Sequence, residues 1–186
     1  MNRYIESYQG KKVLVTGGTG YLGSKLVKEL CSIECEVSLL VRKDRDTNET
    51  WMKDLSFKTF EGDITDLDLL QKTLKDKDFL FHFAVYEAKF GSKFSPHEDL
   101  ATNLISVLSI LEICRKNSYA TKIVFPGSEN QLGVADEIPV NENIKDKPVT
   151  IFGINKLFAE KYLEFYKTNF DIQSVTLRLP NIYGPT

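Results

Sequence analysis

The stretch Lys11–Ile33, KKVLVTGGTGYLGSKLVKELCSI, decides the fold. Its first part, KKVLVTG, is an apolar run that reads as a buried strand. Its second part, YLGSKLVKELCSI, reads as a helix. Between them stand Gly17, Gly20 and Gly23, spaced G-x-x-G-x-x-G. Glycine permits the tight turn from strand to helix and lets backbone N–H groups come close to a bound group. The dipole at the helix N-terminus favours negative charge there, so the arrangement points to a pyrophosphate. A glycine trio alone is weak evidence, because glycine turns are common. Its weight comes from the strand before it and the helix after it.

The same alternation runs on to the end of the chain. EVSLLVR is a second strand, with Val37, Leu39 and Val41 alternating. A polar stretch from Lys43 to Lys53 leads to a short strand near FKTFEGD. The helix DLDLLQKTLKD follows, with Leu67, Leu70 and Leu74 on one side and Asp66 able to cap it. DFLFHFAV is a fourth strand, nearly all apolar, as expected of a parallel strand covered on both faces. HEDLATNLISVLSILEICRKN is a long helix, TKIVFPG a fifth strand, VTIFGINKLFAEKY the opening of another helix and DIQSVTLRLP a sixth strand. Such spacing predicts an α/β fold with a parallel sheet and right-handed crossovers. No repeat or linker divides residues 1–186, so a single domain is expected. The longest unpatterned region, Gly127–Val149, follows the end of a strand, where α/β proteins carry their working loops.

Composition narrows the function classes. With 186 residues, 42% hydrophobic and 27% charged, the chain has the make-up of an ordinary globular domain. Its net charge of −2 offers no field for a polyanion, which argues against nucleic acid. No apolar run approaches membrane-spanning length, and MNRYIESYQGKK lacks the apolar core of a signal peptide, so a cytoplasmic protein without a membrane anchor is expected. Cys31, Cys35 and Cys114 read as buried free thiols. His82 and His97 are too few for a zinc site, and no metal is expected.

The glycine motif preceded by Thr16 resembles the extended short-chain dehydrogenase/reductase family, also called the NAD-dependent epimerase/dehydratase family, so a doubly wound α/β Rossmann domain with its parallel sheet in the order 3-2-1-4-5-6 is expected. The resemblance covers essentially the whole chain. GDITD, Gly62–Asp66, resembles the motif after the third strand, where an aspartate, here Asp63, contacts adenine. FHFAV resembles the fourth-strand motif lying along the cofactor and puts Ala84 there. KIVFPGSENQLG resembles the fifth strand and its catalytic serine or threonine, matching Ser128 by its distance from Gly133. RLPNIYGP resembles the segment leading into the substrate domain. Taken together, the resemblance implies cofactor contacts from Thr16, Gly17, Gly20, Tyr21, Leu22, Gly23, Arg42, Asp63, Ile64, Ala84 and Lys156. It also implies a nucleotide sugar or similar carbonyl or alcohol substrate, and leaves room for a homo-oligomer.

The second strand bears on the choice of cofactor. NAD-binding domains usually end it with an acidic residue on the ribose 2′-OH. Here it ends Val41-Arg42-Lys43, with no carboxylate before Asp44. A guanidinium at that place can hold a 2′-phosphate bidentately and stack on adenine, so NADP is expected, with NAD as the alternative. The competing reading is a solvated basic turn, since Arg45 and Asp46 continue the charged run.

The catalytic positions depart from the family pattern. In the family, the tyrosine of Y-x-x-x-K moves a proton while hydride passes to or from nicotinamide. The lysine lowers the tyrosine pKa and binds the ribose, and the serine or threonine bonds the reacting oxygen. Here Ser128 and Lys156 match, but Phe152 stands at the tyrosine position with no proton to give. Pro126-Gly127 replaces the small hydroxyl residues before the serine, and Leu132 replaces the tyrosine before Gly133. Ser128 has a competing reading as a turn cap. Glu129, His82, Tyr86 and Tyr183 are the substitute acids to weigh. The chain stops soon after YGP, so the C-terminal substrate domain is expected to be absent or truncated. The alternative to an enzyme is a non-catalytic cofactor-binding or regulatory protein, or one part of a split enzyme.

Overall fold

A computed structural model of the chain describes residues 5–43, 50–86, 94–135 and 138–185. Asp44, Arg45 and Asp46 lie outside the described residues. The strands are β1 (Lys12–Thr16), β2 (Glu36–Val41), β3 (Lys58–Glu61), β4 (Phe79–His82), β5 (Lys122–Ser128) and β6 (Ser174–Leu179). The helices are α1 (Tyr21–Cys31), α2 (Leu67–Leu74), α3 (Pro96–Leu100), α4 (Ser106–Asn117) and α5 (Ile151–Phe170), with a π-helical turn, Ala101–Ile105, between α3 and α4. All strand pairs are parallel, and the sheet order is β3-β2-β1-β4-β5-β6. This is the expected doubly wound order.

Two cores follow from the period of two along each strand. On one face, Val13 and Val15 of β1 join Val37, Leu39 and Val41 of β2 and pack on Val27 and Leu30 of α1. On the other, Leu14, Leu40, Leu80 and Phe125 pack on Leu70 and Leu74 of α2, Leu111 of α4 and Leu163 of α5. Each such side chain contributes roughly 1.5–3 kcal/mol by leaving water. Both faces of the central strands are therefore covered, which is why they read as unbroken apolar runs.

Some local expectations need correction. β4 ends at His82, short of Val85, because Thr16 ends the ladder. Its carbonyl takes the Phe83 N–H at 3.0 Å, but its hydroxyl takes the Ala84 N–H at 3.1 Å. Asp66 does cap α2, accepting from the Leu69 N–H at 3.0 Å, yet Leu67 is exposed while Leu70 and Leu74 are buried. Of the three cysteines only Cys114 is buried; Cys31 and Cys35 are half-buried. Burial pushes the Cys35 thiol up to about 11 and that of Cys114 up to about 12. No helix of the described residues is long and apolar enough to cross a membrane.

β1 lies between β2 and β4, so the chain winds from β1 through β2 to β3 at one edge and then returns to β4 on the other side of β1. A crevice opens at the carboxyl ends of the strands at such a point. The candidate site lies there.

Candidate functional site

The glycine loop is built by close backbone packing. Gly17 has φ +69°, and a Cβ on it would lie 2.5 Å from the Phe83 carbonyl carbon and oxygen. A Cβ on Gly23 would collide with the Gly17 carbonyl oxygen. These two glycines therefore serve the fold as well as any ligand. Gly20 differs: its backbone is extended, and a Cβ there would meet only the Gly17 oxygen, at 3.2 Å. It is the N-cap of α1 and offers no side-chain cap, and the first turn of α1 holds no acidic residue. The start of α1 thus borders the cleft with the positive end of the helix dipole and no carboxylate in its own first turn, a setting that suits a phosphate.

One side of the cleft lies over the ends of β2 and β3. It is lined by Arg42, Asp63, Ile64, Ala84 and Tyr86, with Gly17 and Gly20 at its floor. Asp63 Oδ1 accepts from the Thr65 N–H at 2.8 Å and the Thr65 hydroxyl at 2.6 Å. Those bonds, with a smaller effect of the Arg42 charge, hold the Asp63 carboxyl below its usual range. Thr16, expected among the contacts, does not line the cleft. It is fully buried beneath the loop and acts through the Ala84 N–H that it holds.

The other side lies between α1, β5 and α5, and Gly20, Tyr21, Leu22, Gly23, Ser128, Glu129, Phe152 and Lys156 line it. Thr150 caps α5, accepting from the Gly153 N–H at 3.0 Å, and this sets the first turn in which Phe152 stands. Lys156 follows one turn later and is 3% exposed. Its Nζ donates to the Pro126 carbonyl at 2.9 Å and lies 4.3 Å from the Phe125 ring centre and 5.7 Å from that of Phe152. The phenyl ring therefore sits beside the ammonium, as residues four apart on one helix face should.

Ser128 serves as a cap and also lines the cleft. Its Oγ accepts from the Asn130 N–H at 3.2 Å and from Asn130 Nδ2 at 3.1 Å, capping the 3-10 turn Glu129–Gln131. Both contacts are acceptances, so the hydroxyl proton is left to donate. The turn is anchored by residues that the motif comparison missed. Gln131 Oε1 accepts the Ser128 N–H at 2.7 Å, and its Nε2 donates to Glu160 at 2.7 Å. Arg178 clasps Glu160 at 2.8 and 3.0 Å and Asp146 at 2.6 and 2.9 Å. These partners lie on β6, α5 and the loop before α5. Spacing along the chain carried no signal for them.

The substitute acids separate clearly. His82 is buried, and its surroundings assign the tautomer. The Ser106 hydroxyl donates to the Thr102 carbonyl at 2.6 Å, so its oxygen accepts from His82 Nε2 at 3.2 Å. Nδ1 then accepts from the Thr16 hydroxyl at 2.9 Å. Burial, with a smaller effect of the Lys156 charge, pushes the imidazole down to about 3. It is a neutral structural link, removed from the cleft. Tyr86 lines the β2–β3 side, away from Lys156. Tyr183 is 94% exposed. Glu129 is the carboxyl among them that lines the Lys156 side. Among the described residues, no group of three or more His, Cys, Asp or Glu could hold a metal ion.

A model of the NAD-dependent epimerase/dehydratase family matches residues 13–186. The chain belongs to this family. Among its curated relatives is a UDP-glucose 4-epimerase of Lactobacillus helveticus, 30% identical over 175 residues, with 93% of this chain and 52% of that protein covered. Among solved structures, the epimerase Mth375 of Methanothermobacter thermautotrophicus aligns with a TM-score of 0.86 at 28% identity, covering 97% of this chain and 55% of that one. The UDP-glucose 4-epimerase of Brucella ovis in complex with NAD aligns with a TM-score of 0.79 at 26% identity, covering 91% and 51%. The chain thus spans about half the length of the family members it matches.

Proposed function

We propose that the cleft binds a nicotinamide dinucleotide, NADP(H) in preference to NAD(H), in a family member that has lost the tyrosine-dependent proton transfer. The observation that carries this reading is a pair of adjoining pockets that share Gly17, Gly20, Phe83 and Val85. One holds Arg42 and Asp63, the other Ser128 and Lys156, and the glycine loop before α1 borders both. The glycine cradle would take the pyrophosphate, Asp63 the adenine and Arg42 the 2′-phosphate. The buried Lys156 ammonium would hold the nicotinamide ribose. The cofactor, when bound, supplies hydride chemistry.

The chain's own residues supply less than that chemistry needs. Ser128 can donate its hydroxyl proton to a substrate oxygen, and Lys156 can stabilise negative charge. Phe152 can neither give nor take a proton. General acid–base catalysis is commonly worth on the order of 10²–10⁴ in rate, so losing it is severe. The UDP-glucose epimerases among its relatives support nucleotide sugars as the ancestral substrate class.

A second reading, a non-catalytic cofactor-binding or regulatory protein, or one part of a split enzyme, is favoured by the same phenyl ring beside Lys156. Titration calorimetry with NADPH and NADH, paired with an epimerase assay on UDP-glucose, tests both readings. NADPH should bind more tightly than NADH, with no turnover by the chain alone. Failure to bind either dinucleotide refutes the first reading. Robust turnover refutes the loss of catalysis and directs attention to Glu129.

A further inference from the structure

We infer that Asp99 is a positioning residue that ties helix α5, and with it Lys156, to the loop after β4, so that the two ends of the cleft keep their spacing. The inference rests on a dinucleotide occupying the cleft, as proposed above. Asp99 is 1% exposed, and burying a carboxylate is costly unless hydrogen bonds compensate it. Two side-chain amides converge on its Oδ1. Asn103 Nδ2 donates at 2.8 Å, and Asn155 Nδ2, on a helix 56 residues further along, donates at 2.9 Å.

Each amide leads to one side of the cleft. Asn103 grips the backbone of Tyr86 twice, donating to its carbonyl at 2.7 Å and accepting from its N–H at 3.1 Å. Tyr86 and its neighbours Ala84 and Val85 line the β2–β3 side. Asn155 immediately precedes Lys156, so its bond to Asp99 anchors the turn of α5 that carries Lys156. Asn103 also sits in the middle of the π-helical turn Ala101–Ile105, and Thr102 of the same turn lines the cleft. Single π-helical turns occur frequently at functional sites. The wide turn and the buried carboxylate together form one link between the halves.

Calorimetry on the full chain compares NADPH with adenosine 2′,5′-bisphosphate, the half of the cofactor that lacks nicotinamide. Asp99→Ala should bind NADPH about tenfold more weakly and the bisphosphate within about twofold of wild type. Asn155→Ala should reproduce that split. The double variant should lose no more than the larger single loss, because both changes break the same link. Asp99→Asn keeps a carbonyl oxygen for both amides and should recover most of the affinity. Equal losses for the two ligands, additive losses in the double variant, or unchanged NADPH affinity would overturn the assignment. If Asp99→Ala does not fold, Asn155→Ala decides the matter by the same split. A wild-type chain that binds neither ligand overturns the cofactor reading itself, a separate result from any failure of the Asp99 link.

Discussion

Phe152→Tyr places a phenol beside Lys156, and the phenol's pKa reports whether the pair is built as the family pattern requires. The Phe152 ring centre lies 5.7 Å from the ammonium nitrogen. At ~6 Å and an effective dielectric of about 20, a unit positive charge favours the phenolate by roughly 3 kcal/mol. At about 1.4 kcal/mol per unit, that lowers the pKa by about 2 units from a reference near 10. Phe152 is half-buried, and desolvation of the phenolate acts in the opposite direction. The expected pKa is therefore about 8 to 9. The chain has eight tyrosines of its own, so the assay is NMR of ring-labelled tyrosine, with the new resonance identified against wild type. Phe152→Tyr combined with Lys156→Met should return the value toward about 10. A new phenol that titrates at about 10 or above with Lys156 present would refute the pairing.

Three further outcomes are expected. Arg42→Ala should weaken NADPH binding roughly tens-fold, since charge-assisted bonds to phosphate are worth about 1.5–3 kcal/mol each, and leave NADH nearly unchanged; equal weakening in calorimetry would sink the 2′-phosphate role. Gly20→Val should stay folded, because the backbone there is extended and only the Gly17 oxygen is close, yet lose dinucleotide binding as the side chain fills the cradle; retained binding by the folded variant would make the loop purely structural. His82, held neutral with a pKa of about 3 when folded against 6.5 when unfolded, contributes stability that is fully present above pH 6.5 and lost as pH falls toward 3. Urea unfolding of wild type and His82→Asn at stepped pH between about 6 and 4 should differ in slope by about 1.4 kcal/mol per pH unit, and parallel profiles would count against a buried neutral imidazole.

What was legible in the sequence was local. A strand buried on both faces must be apolar at every position, and a strand-to-helix turn around a phosphate needs glycine, so KKVLVTGGTGYLG shows both in consecutive residues. The parallel sheet followed from the alternation, because parallel strands require crossovers, while its order came with the family resemblance. The Phe152–Lys156 pair was legible for the same reason, since residues four apart share a helix face. Thr16 was named for a direct contact and instead acts from beneath the loop, because its hydroxyl is aimed by the packing of β1 against β4.

The remaining assignments required the tertiary structure. His82 could be read as an acid or as a core residue until burial and the hydroxyls of Thr16 and Ser106 were seen around it. Neither the clasp of Gln131, Glu160 and Arg178 beneath Ser128 nor the meeting of Asp99 with Asn155 has a spacing to announce it, because their members lie on different elements. Hydrogen bonds between such elements depend on how helices dock on the sheet, and docking is set by the summed packing of both cores. The sequence by itself determined the strand–helix alternation, the glycine turn and the phenyl ring one helical turn before Lys156. Only the folded chain decided which polar groups line the cleft and which stand behind it, since a side chain's exposure depends on everything packed around it.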